Sequence, residues 1–182
     1  MTVDLATLDI LHYPDPALRT KAEPVAEVTD EVRRVALRMI ELMRRAEGIG
    51  LAAPQVGLPW RLFVCHVPPM EGRSPASDPA GATNQPTVYV NPVLSNPAGP
   101  VEPADEGCLS IPDVVGRVLR PPIITISAID LEGRPFNRTA HGLLARCWQH
   151  ECDHLDGVLI LDRMAQLDRI RNRRLIRELE RA

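Results

Sequence analysis

The sequence predicts an α+β fold, with antiparallel sheets surrounding a central helix that carries an H-E-x-x-H motif and a further helix at the C-terminal end. Three stretches predict it. Val32, Val35, Ala36, Met39, Ile40 and Met43 follow the three-four spacing of a core-facing helical stripe. The β-branched run Ile123–Leu131, followed by Glu132-Gly133, reads as a strand that turns back into a hairpin. His150 and His154, four positions apart in Gln149–Gly157, project from one face of a helix that Gly157 ends. At 182 residues and 45% hydrophobic content the chain can bury a core, and residues 1–182 are expected to form one domain.

In order along the chain, Leu8–Val28 carries Pro14, Pro16 and Pro24 and reads as an extended, surface-wrapping arm, stiffened at Tyr13-Pro14-Asp15-Pro16. Thr29 or Asp30 can cap a helix running to about Glu47, with Gly48 as its stop. Arg33, Arg34, Arg38, Arg44 and Arg45 fall on its wet face. The loop Gly48–Gly57 is built of small residues around one polar side chain, Gln55. It is either a tight crossing or a backbone brought close to a ligand. Trp60–Val67 and Thr87–Asn91 read as strands, and Pro68–Pro86 between them as a surface loop. Pro100–Pro112 reads as irregular and contains Glu106-Gly107-Cys108-Leu109-Ser110. Arg134–Arg138 returns the hairpin, Thr139–Asp156 forms the motif helix, and Val158–Leu161 a short strand. Ala165–Ala182 is helical, with a loose stripe at Leu167, Ile170, Leu175 and Leu179. Its six arginines against Asp168, Glu178 and Glu180 leave it at +3. A solvated surface helix is the favoured reading, a docking surface for an anionic partner the alternative.

The net charge of −3 gives no electrostatic case for membrane surfaces or nucleic acid, and no direct DNA binding is expected. No apolar run approaches membrane-spanning length. Met1–Leu11 carries Asp4 and Asp9 where a signal peptide has a basic region and an apolar run, so a cytoplasmic location is expected, with loss of a targeting segment as the alternative. The four cysteines, Cys65, Cys108, Cys147 and Cys152, form no C-x-x-C pair and are expected as thiols.

Chemistry concentrates on the motif helix. Two imidazoles and the neighbouring carboxylate of Glu151 suit a metal-dependent hydrolytic site. They do not close it. Gly157 fits the extended protease pattern H-E-x-x-H-x-x-G-x-x-H, but Ile160 stands where its third histidine belongs. A downstream acid, Asp162, Asp168 or Glu178, is one alternative. Cys108 is the better third ligand: the preceding glycine relieves crowding, no helix or strand pattern competes, and a thiolate beside two imidazoles leaves one tetrahedral position open. Cys152 lies about 200° around the helix from both histidines and must face elsewhere.

Gly-Ile-Gly-Leu-Ala-Ala-Pro-Gln at 48–55, Glu-Gly-Cys-Leu-Ser at 106–110 and Gln-His-Glu-Cys-Asp-His-Leu-Asp-Gly at 149–157 resemble the three signature motifs of peptide deformylases, in the family's order. Tyr-Pro-Asp-Pro and the Val-Asn-Pro at 90–92 extend the likeness over nearly the whole chain. The resemblance implies one divalent metal ion on Cys108, His150 and His154, Fe2+ in the native family, replaceable by Zn2+, Ni2+ or Co2+. It implies Glu151 as general base, and Gln55 with the backbone N–H of Leu109 as holders of the formyl oxygen. The implied substrates are N-formylmethionyl nascent peptides, with ribosome contact through the basic C-terminal helix as a separate expectation. Leu143, Arg146 and Cys147 lie seven, four and three residues before His150, and with Ile49 and Gly50 they are the expected methionine pocket. For Leu143 and Cys147 plain core packing is the alternative; Arg146 is expected to keep its charge in water. Glu106 is expected either to pair with Arg120 or to be solvated, and Asp153 or Asp156 to orient a ligand histidine.

Overall fold

Thr29 starts the first helix, its hydroxyl accepting a hydrogen bond from the Val32 N–H at 3.3 Å. The structure, a computed structural model, describes residues 3–70, 74 and 80–181. Helix α1 spans Asp30–Arg45 and buries Val32, Val35, Ala36, Met39, Leu42 and Met43. The left-handed turn behind it falls on Glu47, at φ 54, rather than on Gly48.

The strands are β1 (Gly50–Ala52), β2 (Leu62–Cys65), β3 (Thr87–Ala98), β4 (Glu102–Cys108), β5 (Ile111–Arg120), β6 (Ile123–Ile129) and β7 (Pro135–His141). Five form an antiparallel sheet in the order β1-β2-β3-β6-β7, while β4 and β5 form a separate hairpin. Strand β2 is buried on both faces, which is why it reads as an unbroken apolar run. Leu62 and Val64 pack with the α1 stripe; Phe63 and Cys65 point the other way, into the core against helix α2 (Gly142–Leu155). Leu144, Ala145, Trp148, Cys152 and Leu155 supply the helix side of that core. Cys152 therefore faces the core, as its angular position required. A third cluster joins Ile111, Val114 and Val118 of β5 to Leu18, Leu159, Ile160, Leu161 and Ile176.

Several expected boundaries move. The strand expected at Thr87–Asn91 continues to Ala98 through register shifts between Val90 and Val93 and between Ser95 and Ala98. Asn91 and Asn96, at φ 50 and 51, take the strain there, so Pro92 and Pro97 sit in irregular steps of the ladder rather than ending it. Trp60–Val67 contributes only Leu62–Cys65 as regular strand. The supposedly irregular Pro100–Pro112 is half of the β4–β5 hairpin. The motif helix begins at Gly142, because 139–141 remain paired in β7. Val158–Leu161 is not a strand; a short helix α3 covers Ile160–Arg163. The tail is broken at Asn172 into α4 (Gln166–Arg171) and α5 (Arg173–Leu179). Of its stripe, Leu175 and Leu179 pack inward while Leu167 and Ile170 are exposed. Of the Pro68–Pro86 loop, 71–73 and 75–79 lie outside the described residues.

Candidate metal centre and substrate cleft

Helix α2 and the β4–β5 hairpin meet at the three residues named as ligands. Cys108 closes β4, opposite Ile111 across the Leu109-Ser110 turn, so a strand does reach it. A Cβ on Gly107 would find its nearest neighbour at 3.8 Å, so the preceding glycine is not relieving crowding. What positions the cysteine is the hairpin end itself. Cys108 Sγ lies 3.2 Å from His154 Nε2, and that nitrogen 3.2 Å from His150 Nε2. All three donor atoms lie within 4.8 Å of one another. Nitrogen donors about 2.0–2.1 Å and a thiolate about 2.3 Å from one tetrahedral ion stand roughly 3.3–3.6 Å apart, and the two 3.2 Å separations that meet at His154 come close to that spacing. The acids held as alternatives are engaged elsewhere: Asp162 with Arg19 and the Leu159 N–H, Asp168 with Arg117, Glu178 with Arg174.

The carboxylate that meets a candidate ligand histidine is Glu106, neither Asp153 nor Asp156. Its Oε2 stands 3.2 Å from His150 Nδ1, which directs the Nε2 lone pair at the other donors. Asp153 instead receives Arg120 and Arg163, and Asp156 receives Arg61. Arg120 grips Glu106 with two bonds, at 2.7 and 2.9 Å, and both side chains are buried. Burial alone would raise the Glu106 carboxyl; the hydrogen bonds from Arg120 and His150 overturn that and hold it well below the usual carboxylate range. The sequence pointed to Arg120 but carried no sign of the His150 contact. Arg146 departs from expectation too. Its guanidinium is not in water but bonds Glu106 Oε1, the Val118 carbonyl and the Glu102 carbonyl, latching the hairpin onto α2.

Glu151 sits beside the triad with 3% exposure, and its Oε2 has no hydrogen-bond partner. Burial pushes its carboxyl up to about 7, against the lowering charges of His150 and Arg120. Gly50 is required opposite it, since a Cβ there would overlap Glu151 Oε1 and approach Cys147 Sγ to 2.9 Å. The Gly48–Gly57 stretch is thus a close approach of backbone to the motif helix. Within it, Gln55 is fixed at both ends of its carboxamide. Oε1 accepts from the Ala52 N–H at 2.8 Å, and Nε2 donates to Ser110 Oγ at 3.1 Å and towards Cys108 Sγ at 3.6 Å. Ser110, which sequence reasoning passed over, orients that amide. Ile49, Gly50, Leu143, Arg146 and Cys147 all line one cleft of about 630 Å3 with Leu109, His150 and Glu151. Leu143 and Cys147 also pack on the core, as their alternative reading had it.

The family model for polypeptide deformylase matches residues 7–170. The chain belongs to the peptide deformylase family. Among curated deformylases, that of Acinetobacter baumannii is 43% identical over 177 residues, covering 97% of this chain and 94% of its own. That of Alkalilimnicola ehrlichii is 45% identical, covering 97% and 93%. The solved deformylase of Synechococcus elongatus in complex with actinonin superposes with a TM-score of 0.80 at 41% identity, over 94% of this chain and 87% of that one. The Plasmodium falciparum deformylase superposes with a TM-score of 0.82 at 34% identity, over 96% and 100%. Deformylases are metal-dependent, and the Cys108, His150, His154 cluster has the donor set such a centre needs.

Proposed function

We propose that residues 1–182 act as one catalytic domain that removes the N-formyl group from the N-terminal methionine of newly synthesised polypeptides and releases formate. The reading is carried by the three donor atoms within 4.8 Å of one another beside the buried Glu151. Cys108, His150 and His154 would hold one divalent ion, which when bound supplies Lewis acidity toward water and the formyl oxygen. Fe2+ is the proposed native metal, with Zn2+, Ni2+ or Co2+ able to take its place; imidazole and thiolate suit all of these. Glu151 takes the proton from the attacking water and delivers it to the leaving amine. The Gln55 Nε2–H that now points towards Cys108 Sγ turns, with the Leu109 N–H, to donate to the formyl oxygen as charge builds on it. Ile49, Gly50, Leu143 and Cys147 receive the methionine side chain, with the stem of Arg146 at the edge.

Turnover of a formyl-Met peptide by the anaerobically iron-loaded protein tests this reading. Formate release is expected; its absence, or undiminished release after Glu151→Ala, overturns it. Cys108→Ala is expected to abolish tight metal binding and Cys152→Ala to preserve it.

We further propose a cytoplasmic location, supported by four free thiols. Among the described residues no helix is long and apolar enough to cross a membrane. Ribosome contact through the C-terminal helices is supported by Arg173 and Arg177, which are exposed on α5. Charge reversal at both is expected to weaken co-sedimentation with ribosomes; unchanged binding ends that proposal.

A further inference from the structure

Two buried thiols lie beside the cleft without belonging to the metal centre. Cys65 ends β2 in register with Gly50 and is fully buried. Cys147, three residues before His150, is 4% exposed and lines the cleft. Their sulfurs stand 3.3 Å apart, and both cysteines are free. Among the described residues no other two cysteine sulfurs are in hydrogen-bond contact. A small apolar side chain at each position would fill this space between sheet and helix. Two sulfurs in contact add something packing does not need, a pair of atoms able to bond.

We propose that Cys65 and Cys147 form a redox-modifiable dithiol, which hydrogen peroxide closes into a disulfide beneath the substrate cleft. Peroxide entering the cleft meets Cys147 first, because Cys65 is sealed behind it. The Cys147 sulfur gives an electron pair to one peroxide oxygen and the O–O bond breaks. The thiol proton leaves on the departing oxygen as water, and Cys147 becomes a sulfenic acid. The Cys65 sulfur then attacks the Cys147 sulfur, the S–O bond breaks, and the Cys65 proton leaves with that oxygen as a second water. Two thiols and one peroxide give one disulfide and two waters; the sulfurs lose two electrons and the peroxide gains them.

The hydrogen bond to Cys65 and burial both push the Cys147 thiol up, so the first step is slow. The second begins from contact and has the advantage of an intramolecular reaction, so it outruns further oxidation of the sulfenic acid. Bonding draws the sulfurs from 3.3 Å to about 2.05 Å. Cys147 also gives up the S–H that now points to the Ile49 carbonyl at 3.5 Å, so the cleft wall at Ile49 loses a tie to α2.

The test exposes zinc-loaded full-length protein to hydrogen peroxide and maps its peptides by mass spectrometry without reduction. A peptide linking Cys65 to Cys147 is expected, together with a several-fold rise in KM for a formyl-Met peptide that dithiothreitol reverses. Cys65→Ala is expected to keep its turnover and metal and to lose the reversible KM change. Oxidation confined to single cysteines, or a linkage through Cys108 or Cys152, overturns the proposal; linkage with unchanged KM overturns its effect on the cleft. The effect on KM rests on the deformylase reading. The linkage is read chemically, so a protein that forms it without deformylase activity would contradict that reading and leave the dithiol standing. Mapping on the unmodified chain decides the matter even if Cys65→Ala does not fold.

Discussion

Glu151 is enclosed by α2, Gly50 and the cleft, and its buried Oε2 has no hydrogen-bond partner. A carboxylate held this way faces the cleft rather than bulk water, which suits the base proposed for it. Glu151→Gln keeps the shape and removes the base, so kcat should fall by about 10²–10⁴. Metal content should stay unchanged, which parallel formate and metal assays would verify; loss of metal would instead make Glu151 a structural partner of the site. Glu106 has the opposite character. It is paired at every turn, with Arg120, Arg146 and His150. Glu106→Gln leaves the buried Arg120 short of a charge, with Asp153 as its remaining partner, and should cost about 3 kcal/mol in urea unfolding of the metal-free protein. It also releases His150 Nδ1, so metal affinity in chelator competition should drop about 10–100-fold. A large stability loss with unchanged metal affinity would confine Glu106 to the role of a hairpin anchor.

At the scale of elements, helix α1 was legible because it buries one apolar stripe, and α2, which is enclosed on nearly every side, because His150 and His154 carry the helical spacing of its motif. The β4–β5 hairpin was not. Its alternation at Val114, Gly116, Val118 and Arg120 includes a glycine and a charged residue on the buried face, where Gly116 admits Met164 and Arg120 meets Glu106. Apolar periodicity cannot register a buried ion pair whose partner lies on another strand. β3 was cut short for a related reason, since Pro92 and Pro97 read as breaks until the register shifts are seen. The triad's residue types and spacing were visible, whereas the bonds fixing Gln55 and His150 depend on the hairpin closing against α2. Gly157 was read as a helix stop and as a motif position, with no sign of the arm packed against it. It has φ 72, and a Cβ there would press on the Arg19 backbone carbonyl, at 2.5 Å from its oxygen. Gly157→Ala should therefore destabilise the protein by roughly 1–3 kcal/mol, read as a lowered Tm. A Tm within error of the parent would show that the arm can yield at that crossing.

For the whole molecule, both ends of the chain are tied to the machinery between them. The arm sends the Leu11 N–H to the Gln55 carbonyl and the Tyr13 N–H to the Ser110 carbonyl, while Tyr13 Oη bonds Glu180 of the tail. The tail is held to the hairpin by Asp168, whose carboxylate accepts from the Arg117 N–H and Nε, each at 3.0 Å, and from Arg171. Those bonds, the backbone one first, hold the Asp168 carboxyl below its ordinary value. An acid with a folded pKa below its unfolded value stabilises the fold fully above the unfolded value, about 4, and loses that contribution as pH falls through the folded one. Asp168→Asn should accordingly lower Tm at neutral pH, and the gap from the parent should close below about pH 4 as the parent protonates. Thermal melts of both proteins across pH 3–7 would check this. A gap that persists unchanged in acid would mean that the asparagine fails by geometry, with the charge of Asp168 contributing nothing to the hold of the tail on β5.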